Sequence, residues 1–271
     1  MGPFAADLLL ESLLAPFALA CMVLAAVRWI RYRPLVLIAP AVAMLLAVGT
    51  TYGLVLGWPS VLAPSARDKV LLALVIGLVA GIFISKRPQW TRPVLITGAF
   101  AIPIWVSLPA LQQGRLDGGL LILPIAFAAI SLWLIEHRPA PSSTADLLLA
   151  SALAAGLAGI AAFARSLTFT ELGLSLAAAL IAILIVGRRP VTMPATLASA
   201  AMLLAMATSL LLYSEASLAA ILVLGAAIGA ERLARLSTGD LTVRHLLLFL
   251  ALPTVIAIVI ARIDAGPISI Y

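Results

Sequence analysis

The stretch IVGRRPVTMP, Ile185–Pro194, ends a long aliphatic run with two arginines and a proline. Similar stops stand at Arg31–Pro34 (RYRP), Ser85–Pro88 (SKRP) and Glu136–Pro139 (EHRP). Their prolines, Pro34, Pro88, Pro139 and Pro190, are 54, 51 and 51 residues apart. One membrane crossing takes roughly 20 apolar residues, so each interval holds one helical hairpin. Arginine anchors the inner end of an arriving helix, and proline cannot continue that helix but fits the first turn of the next. The stops therefore read as inner ends of hairpins, and turn chemistry alone explains them without common ancestry.

The composition agrees. Hydrophobic residues make up 64% of the 271 and charged residues only 10%, against about a quarter charged in soluble domains. Mean hydropathy is +1.20. The charges sit in short clusters between long uncharged runs, the pattern of an all-α polytopic membrane protein with short loops. The net charge of +6 reflects arginines that set topology, and no basic stripe with interleaved aromatics suggests nucleic acid. Cys21 is the only cysteine, so an intrachain disulfide and a thiolate metal cluster are excluded. Asp7 and Glu11 stand where a signal peptide needs basic residues, so the N-terminus reads as an uncleaved first helix.

Ten spans are expected, at about 6–27, 34–56, 68–85, 94–111, 118–135, 145–164, 171–187, 194–213, 216–231 and 242–262. With the N-terminus outside, 12 of the 17 lysines and arginines fall on one face and 5 on the other. The richer face is the cytoplasmic one, which puts both termini on the periplasmic side of a bacterial inner membrane.

Two echoes suggest a repeat. ADLLLESLLA (Ala6–Ala15) and ADLLLASALA (Ala145–Ala154) agree at eight of ten positions. Two Leu-Pro entries, at Leu123 and Leu252, relate the fifth span to the tenth in the same way. Halves of five helices at 1–140 and 141–271 would insert in opposite directions, an inverted 5+5 repeat. Rival echoes between Leu74–Arg87 and Leu222–Arg235, and between the second and eighth spans, argue for tandem hairpins instead.

Candidate functional residues are few. The fourth span is the least regular: Thr97, Pro103, Trp105, Ser107 and Pro109 lead into Gln112, Gln113 and Arg115, and Pro124 interrupts the fifth. Proline at membrane depth frees carbonyls that neighbours or a wet cavity must satisfy, so these residues are the expected solute pathway. Gly77 with Gly81, and Gly225 with Gly229, form G-x-x-x-G pairs that let helices approach closely, as ordinary packing, as a tight third–ninth helix pair around a site, or as a dimer contact. Asp7, Glu11, Asp146, Glu171 and Glu215 read as first-turn capping carboxylates. Glu11 and His245 are the candidates for coupling or pH sensing.

No residues volunteer for catalysis, a metal or a cofactor: H-E-x-x-H, G-x-S-x-G and P-loop motifs are missing. The expected function is a permease for a small or lipid-like solute. The alternative is a non-catalytic subunit or assembly factor that docks a membrane partner or a second copy of itself. A third, weaker reading is a lipid-linked sugar enzyme or flippase, with Arg67, Lys69, Arg115 and Arg165 meeting a diphosphate.

Overall fold

The structure is a computed structural model that describes residues 10–30, 33–60, 64–114, 122, 125–126, 129, 143–186, 192–229 and 243–266, with 33–37, 143 and 243–244 as backbone only. Among these residues the fold is helical. Eight helices are long and apolar enough to cross a membrane: α1 (Leu10–Ile30), α2 (Arg33–Leu56), α3 (Ala66–Lys86), α4 (Thr91–Gln112), α5 (Ser143–Phe163), α6 (Leu167–Val186), α7 (Met193–Tyr213) and α9 (Val243–Asp264). The shorter α8 runs from Leu218 to Gly225 and tightens into a 3-10 turn, Ala226–Gly229. The expected fifth span, 118–135, lies essentially outside the described residues, so a count of ten and a repeat do not follow from the helices described.

Two of the four Arg-Pro stops fall on described backbone. Pro34 is in the first turn of α2, and Pro88 opens the 3-10 turn that leads into α4. Each occupies a position whose N–H has no intrahelical acceptor, which is why proline is tolerated there. Pro139 and Pro190 lie outside the described residues.

Side-chain bonds fix which helix ends lie together. The Tyr52 hydroxyl near the end of α2 donates to Asp68 at the start of α3, and Lys69 reaches the Trp105 carbonyl late in α4. Tyr213 at the end of α7 donates to the Val106 carbonyl, and Ser217 before α8 donates to Asp264 at the end of α9. Thr51 of α2 lies 3.4 Å from the Glu11 carbonyl of α1. These residues share one end of the bundle, the Lys69 end. Arg28, Lys86, Arg87 and Arg92 fall at the other, the arginine end. Gly114 lies at the Lys69 end and Ser143 at the arginine end.

Burial places α6 and α7 at the centre, where 72% of the residues along the apolar stretch of each are buried, and α1 and α9 at the rim, where 22% are. Helix association within lipid relies on close packing, because lipid is as apolar as leucine. The most extensive contact is α3 on α7. A Cβ on Gly77 would stand 2.4 Å from the Leu197 carbonyl oxygen, and one on Gly81 would stand 2.4 Å from Cα of Pro194. Gly77 and Gly81 thus let α3 meet the α7 backbone itself. This is the close packing that G-x-x-x-G spacing implies, but the alternative of a tight pair with the helix carrying Gly225 and Gly229 is corrected: the partner is α7, and a Cβ on Gly229 would meet nothing within 4 Å.

Two carboxylates also differ from expectation. α6 starts at Leu167, so Glu171 lies beyond the first turn and is buried, and Glu215 sits in the loop before α8, whose N-cap is Ser217. Asp146 does lie in the first turn of α5, and Glu11 is in the first turn of α1.

A cavity beside a proline-broken wall

α4 packs on α3 and α7 but makes no extensive contact with α5 or α8. The gap is a cavity of about 1130 Å³. Its described lining comes from α3, α4, α5, α7 and α8, with the 3-10 segments beside α4 and α8, and is overwhelmingly aliphatic, with hydroxyls from Thr97, Thr196 and Ser199. Asp146 lines it from the α5 first turn, toward the arginine end.

The cavity gathers some of the expected residues. Thr97 and Trp105 line it from α4, Gly77 from α3 and Gly225 from α8. Pro103 and Ser107 are buried within α4 but outside that lining. Pro109 is half-buried, and Gln112 and Gln113 are exposed at the Lys69 end. Glu11 is exposed at that end and His245 half-buried toward the arginine end, both apart from the cavity. Arg115 and Pro124 lie outside the described residues.

The wall is held by an unusual donor. Proline has no N–H to offer the carbonyl four residues earlier, so Pro109 orphans the Trp105 oxygen and Pro103 that of Ala99. Lys69, only 4% exposed, donates its Nζ to the Trp105 oxygen at 2.5 Å and lies 5.4 Å from the centre of that indole. A buried ammonium needs acceptors, and the orphaned carbonyl needs a donor, so each resolves the other's deficit. The Tyr213 hydroxyl donates to the neighbouring Val106 oxygen at 2.8 Å. The Ser107 hydroxyl turns back onto its own helix, toward the Pro103 and Ile104 carbonyls at 2.8 and 2.9 Å. The proline-broken half of α4 is thereby tied to α3 and α7.

The base of Lys69 is fixed by a capping box. Ser65 Oγ accepts from the Asp68 N–H, and Asp68 Oδ2 accepts from the Ser65 N–H at 2.8 Å. The other Asp68 oxygen accepts from the buried Tyr52 hydroxyl. These bonds fix the first turn of α3, and hence the direction in which the next residue points. Sequence reading missed both Asp68 and the Lys69 contact. The Trp105-x-x-x-Pro109 spacing announces an orphaned carbonyl, but nothing local names its donor.

A second, smaller hollow of about 530 Å³ opens at the Lys69 end, lined by Ala110, Ala164, Arg165, Leu212, Tyr213, Ser214 and Glu215. Arg67 is exposed at the same end. Lys69, engaged by Trp105 and buried, is not presented to solvent as a phosphate contact would be. Among the described residues, no group of three or more His, Cys, Asp or Glu side chains could hold a metal ion.

Comparison of the chain with protein-family models, with curated proteins and with solved structures finds no match in any of the three.

Proposed function

We propose that this protein is a permease for a lipid-like or otherwise largely apolar solute, with the α4–α5–α7–α8 cavity as its binding place. The observation that carries the reading is the cavity itself. It exceeds the roughly 300–1,000 Å³ of ordinary ligand pockets, and aliphatic walls with a few hydroxyls suit an acyl or isoprenoid chain better than a polar metabolite. Two further observations support transport over passive storage. One wall, α4, is broken by Pro103 and Pro109 at membrane depth. The other is the pairing of helices: α3 meets α7 and α2 meets α6, the partners that an axis relating halves 1–140 and 141–271 would bring together. α1 and α5, the first described helices of the two halves, run in opposite senses through the bundle, as inversion requires. On this reading the interval from Gly114 to Ser143 supplies the crossing that brings the total to ten, and the richer arginine end faces the cytoplasm.

The test is solute binding and flux. Purified protein in native-like nanodiscs should retain lipid-like molecules identifiable by mass spectrometry, and Leu153→Trp or Thr196→Trp, which fill the cavity, should displace them. The same variants should slow movement of that solute across proteoliposomes. If wild type retains nothing and moves no member of a lipid and isoprenoid panel, the permease reading falls. Stable capture of a membrane partner through the rim helices α1 and α9 would then favour the scaffold alternative.

A further inference from the structure

Away from the cavity, the first turn of α1 and the second turn of α6 hold polar groups without a hydrogen-bond partner among the described residues. Residues Leu10–Leu14 form a π-turn, which continues as an α-helix from Ala15. Pro16, in the first turn of that α-helix, has no N–H to offer the Ser12 carbonyl four residues earlier, so that oxygen lacks its usual helical donor. Ser12 is fully buried, and its hydroxyl has no hydrogen-bond partner among the described residues.

Glu171 comes to this place from α6, which packs against the π-turn. It is 7% exposed, its Oε2 has no hydrogen-bond partner among the described residues, and the Glu11 carboxylate is near enough to act on it electrostatically. An isolated carboxylate at membrane depth is expensive, and a second acid nearby makes it more so. Among the described residues, the groups on the elements packed around it offer little relief. α1 brings Glu11, α5 has its acid, Asp146, at the far end, and the α5–α6 turn holds the exposed Arg165. On α2 the Tyr52 hydroxyl is given to Asp68, and on α7 that of Tyr213 is given to the Val106 carbonyl.

We propose that the α1 π-turn and Glu171 form a binding site for a small cation, a proton or a sodium ion, whose charge compensates the buried carboxylate. The Glu171 carboxylate supplies the charge, and the Ser12 hydroxyl and the carbonyls of the opened turn supply neutral oxygens. Thr51, 3.4 Å from the Glu11 carbonyl, braces the turn from α2. Hard cations take oxygen ligands of this kind, and opened helical backbone is a source of them in membrane proteins. Binding joins α1 to α6, so cation occupancy sets how firmly a rim helix holds the bundle centre. The site does not depend on what fills the cavity.

Infrared difference spectroscopy on the full chain in nanodiscs tests it directly. The wild type minus Glu171→Gln difference, measured across pH 5 to 9 in sodium and in potassium buffers, reports the state of this carboxyl. A protonated-carboxyl band that Glu171→Gln removes identifies a proton as the occupant. A carboxylate band that shifts when sodium replaces potassium, and is lost in Glu171→Gln, identifies sodium. A carboxylate band indifferent to both overturns the proposal. Should Glu171→Gln fail to fold, wild type labelled with ¹³C at the glutamate carboxyls, compared with Ser12→Ala, answers the same question: Ser12→Ala should weaken the ion or pH response several-fold, and an unchanged response refutes the site.

Discussion

Replacing Lys69 with methionine and Pro109 with alanine, singly and together, isolates the bond that holds the wall of the cavity. In the native chain the Trp105 carbonyl has no backbone donor because Pro109 lacks an N–H, and Lys69 supplies the missing bond at 2.5 Å. Lys69→Met leaves that buried oxygen unanswered, which costs about 1–3 kcal/mol. Pro109→Ala restores a backbone N–H at the right spacing, so the same oxygen is satisfied whether or not Lys69 is present. Lys69→Met should therefore cost about 2 kcal/mol less in the Pro109→Ala background than in the native one, within the usual range of coupling for touching residues. The cycle cancels what the backgrounds share. The desolvation of the ammonium and its contact with the Trp105 ring, 5.4 Å away, are removed by Lys69→Met in both. Unfolding in mixed micelles, followed by tryptophan fluorescence with titrated denaturant, gives the four free energies. An equal cost for Lys69→Met in both backgrounds would refute the argument, since Lys69 would then be doing something other than completing a proline-broken helix.

Other expectations follow from the same contacts. Gly77→Ala and Gly81→Ala drive a methyl into α7 backbone, so each should lower stability by about 1–3 kcal/mol or more. Gly229→Ala, with open space around it, should stay within about 0.5 kcal/mol in the same unfolding assay, and an equal loss in all three would sink the close-approach explanation. Tyr52→Phe removes one bond to the Asp68 carboxylate, and Ser65→Ala removes one to that carboxylate and one from the Asp68 N–H; each should cost about 1 kcal/mol, with non-additive effects when combined because they share that carboxylate. For topology, in a Cys21→Ser background an impermeant maleimide added to intact cells should label Trp58→Cys, whose native side chain is 92% exposed, and leave Gln89→Cys untouched. The reverse pattern would invert the arginine-based orientation.

Much of the architecture is legible in the residues because a bilayer imposes length and polarity on every crossing. Runs between charges locate α1 to α7 and α9 to within a few residues, and Pro34 and Pro88 mark real helix starts, whereas the expected span 216–231 is represented among the described residues only by the short α8 and its 3-10 turn. Glu171 shows where that reading fails. A run bounded by charges starts at the acid, whereas Leu167–Thr170 extend the helix by a turn and carry the carboxylate inward. Hydropathy cannot distinguish an acid that caps a helix from one a turn deeper. Gly77 and Gly81 announce a close approach, but spacing along one helix says nothing about which neighbour arrives, and the neighbour is α7. Lys69 lies near a helix end, where a cation ordinarily snorkels or meets a headgroup. Its actual acceptor is 36 residues away and exists only because of a proline on another helix.

The seam between α3 and α7 has a mechanical consequence. Where a missing Cβ is the only clearance between two backbones, the helices can neither slide nor rotate against each other without collision, and the seam behaves as a keel. Any movement within the bundle has to be taken up by parts less tightly joined to it. α4 is one of these: among the described residues it rests on the keel along one side, faces the void along another, and is moored at its proline-broken half by the Lys69 ammonium and the Tyr213 hydroxyl. Those two moorings, rather than the glycine seam, are the points at which a passenger in the void would be felt by the rest of the molecule.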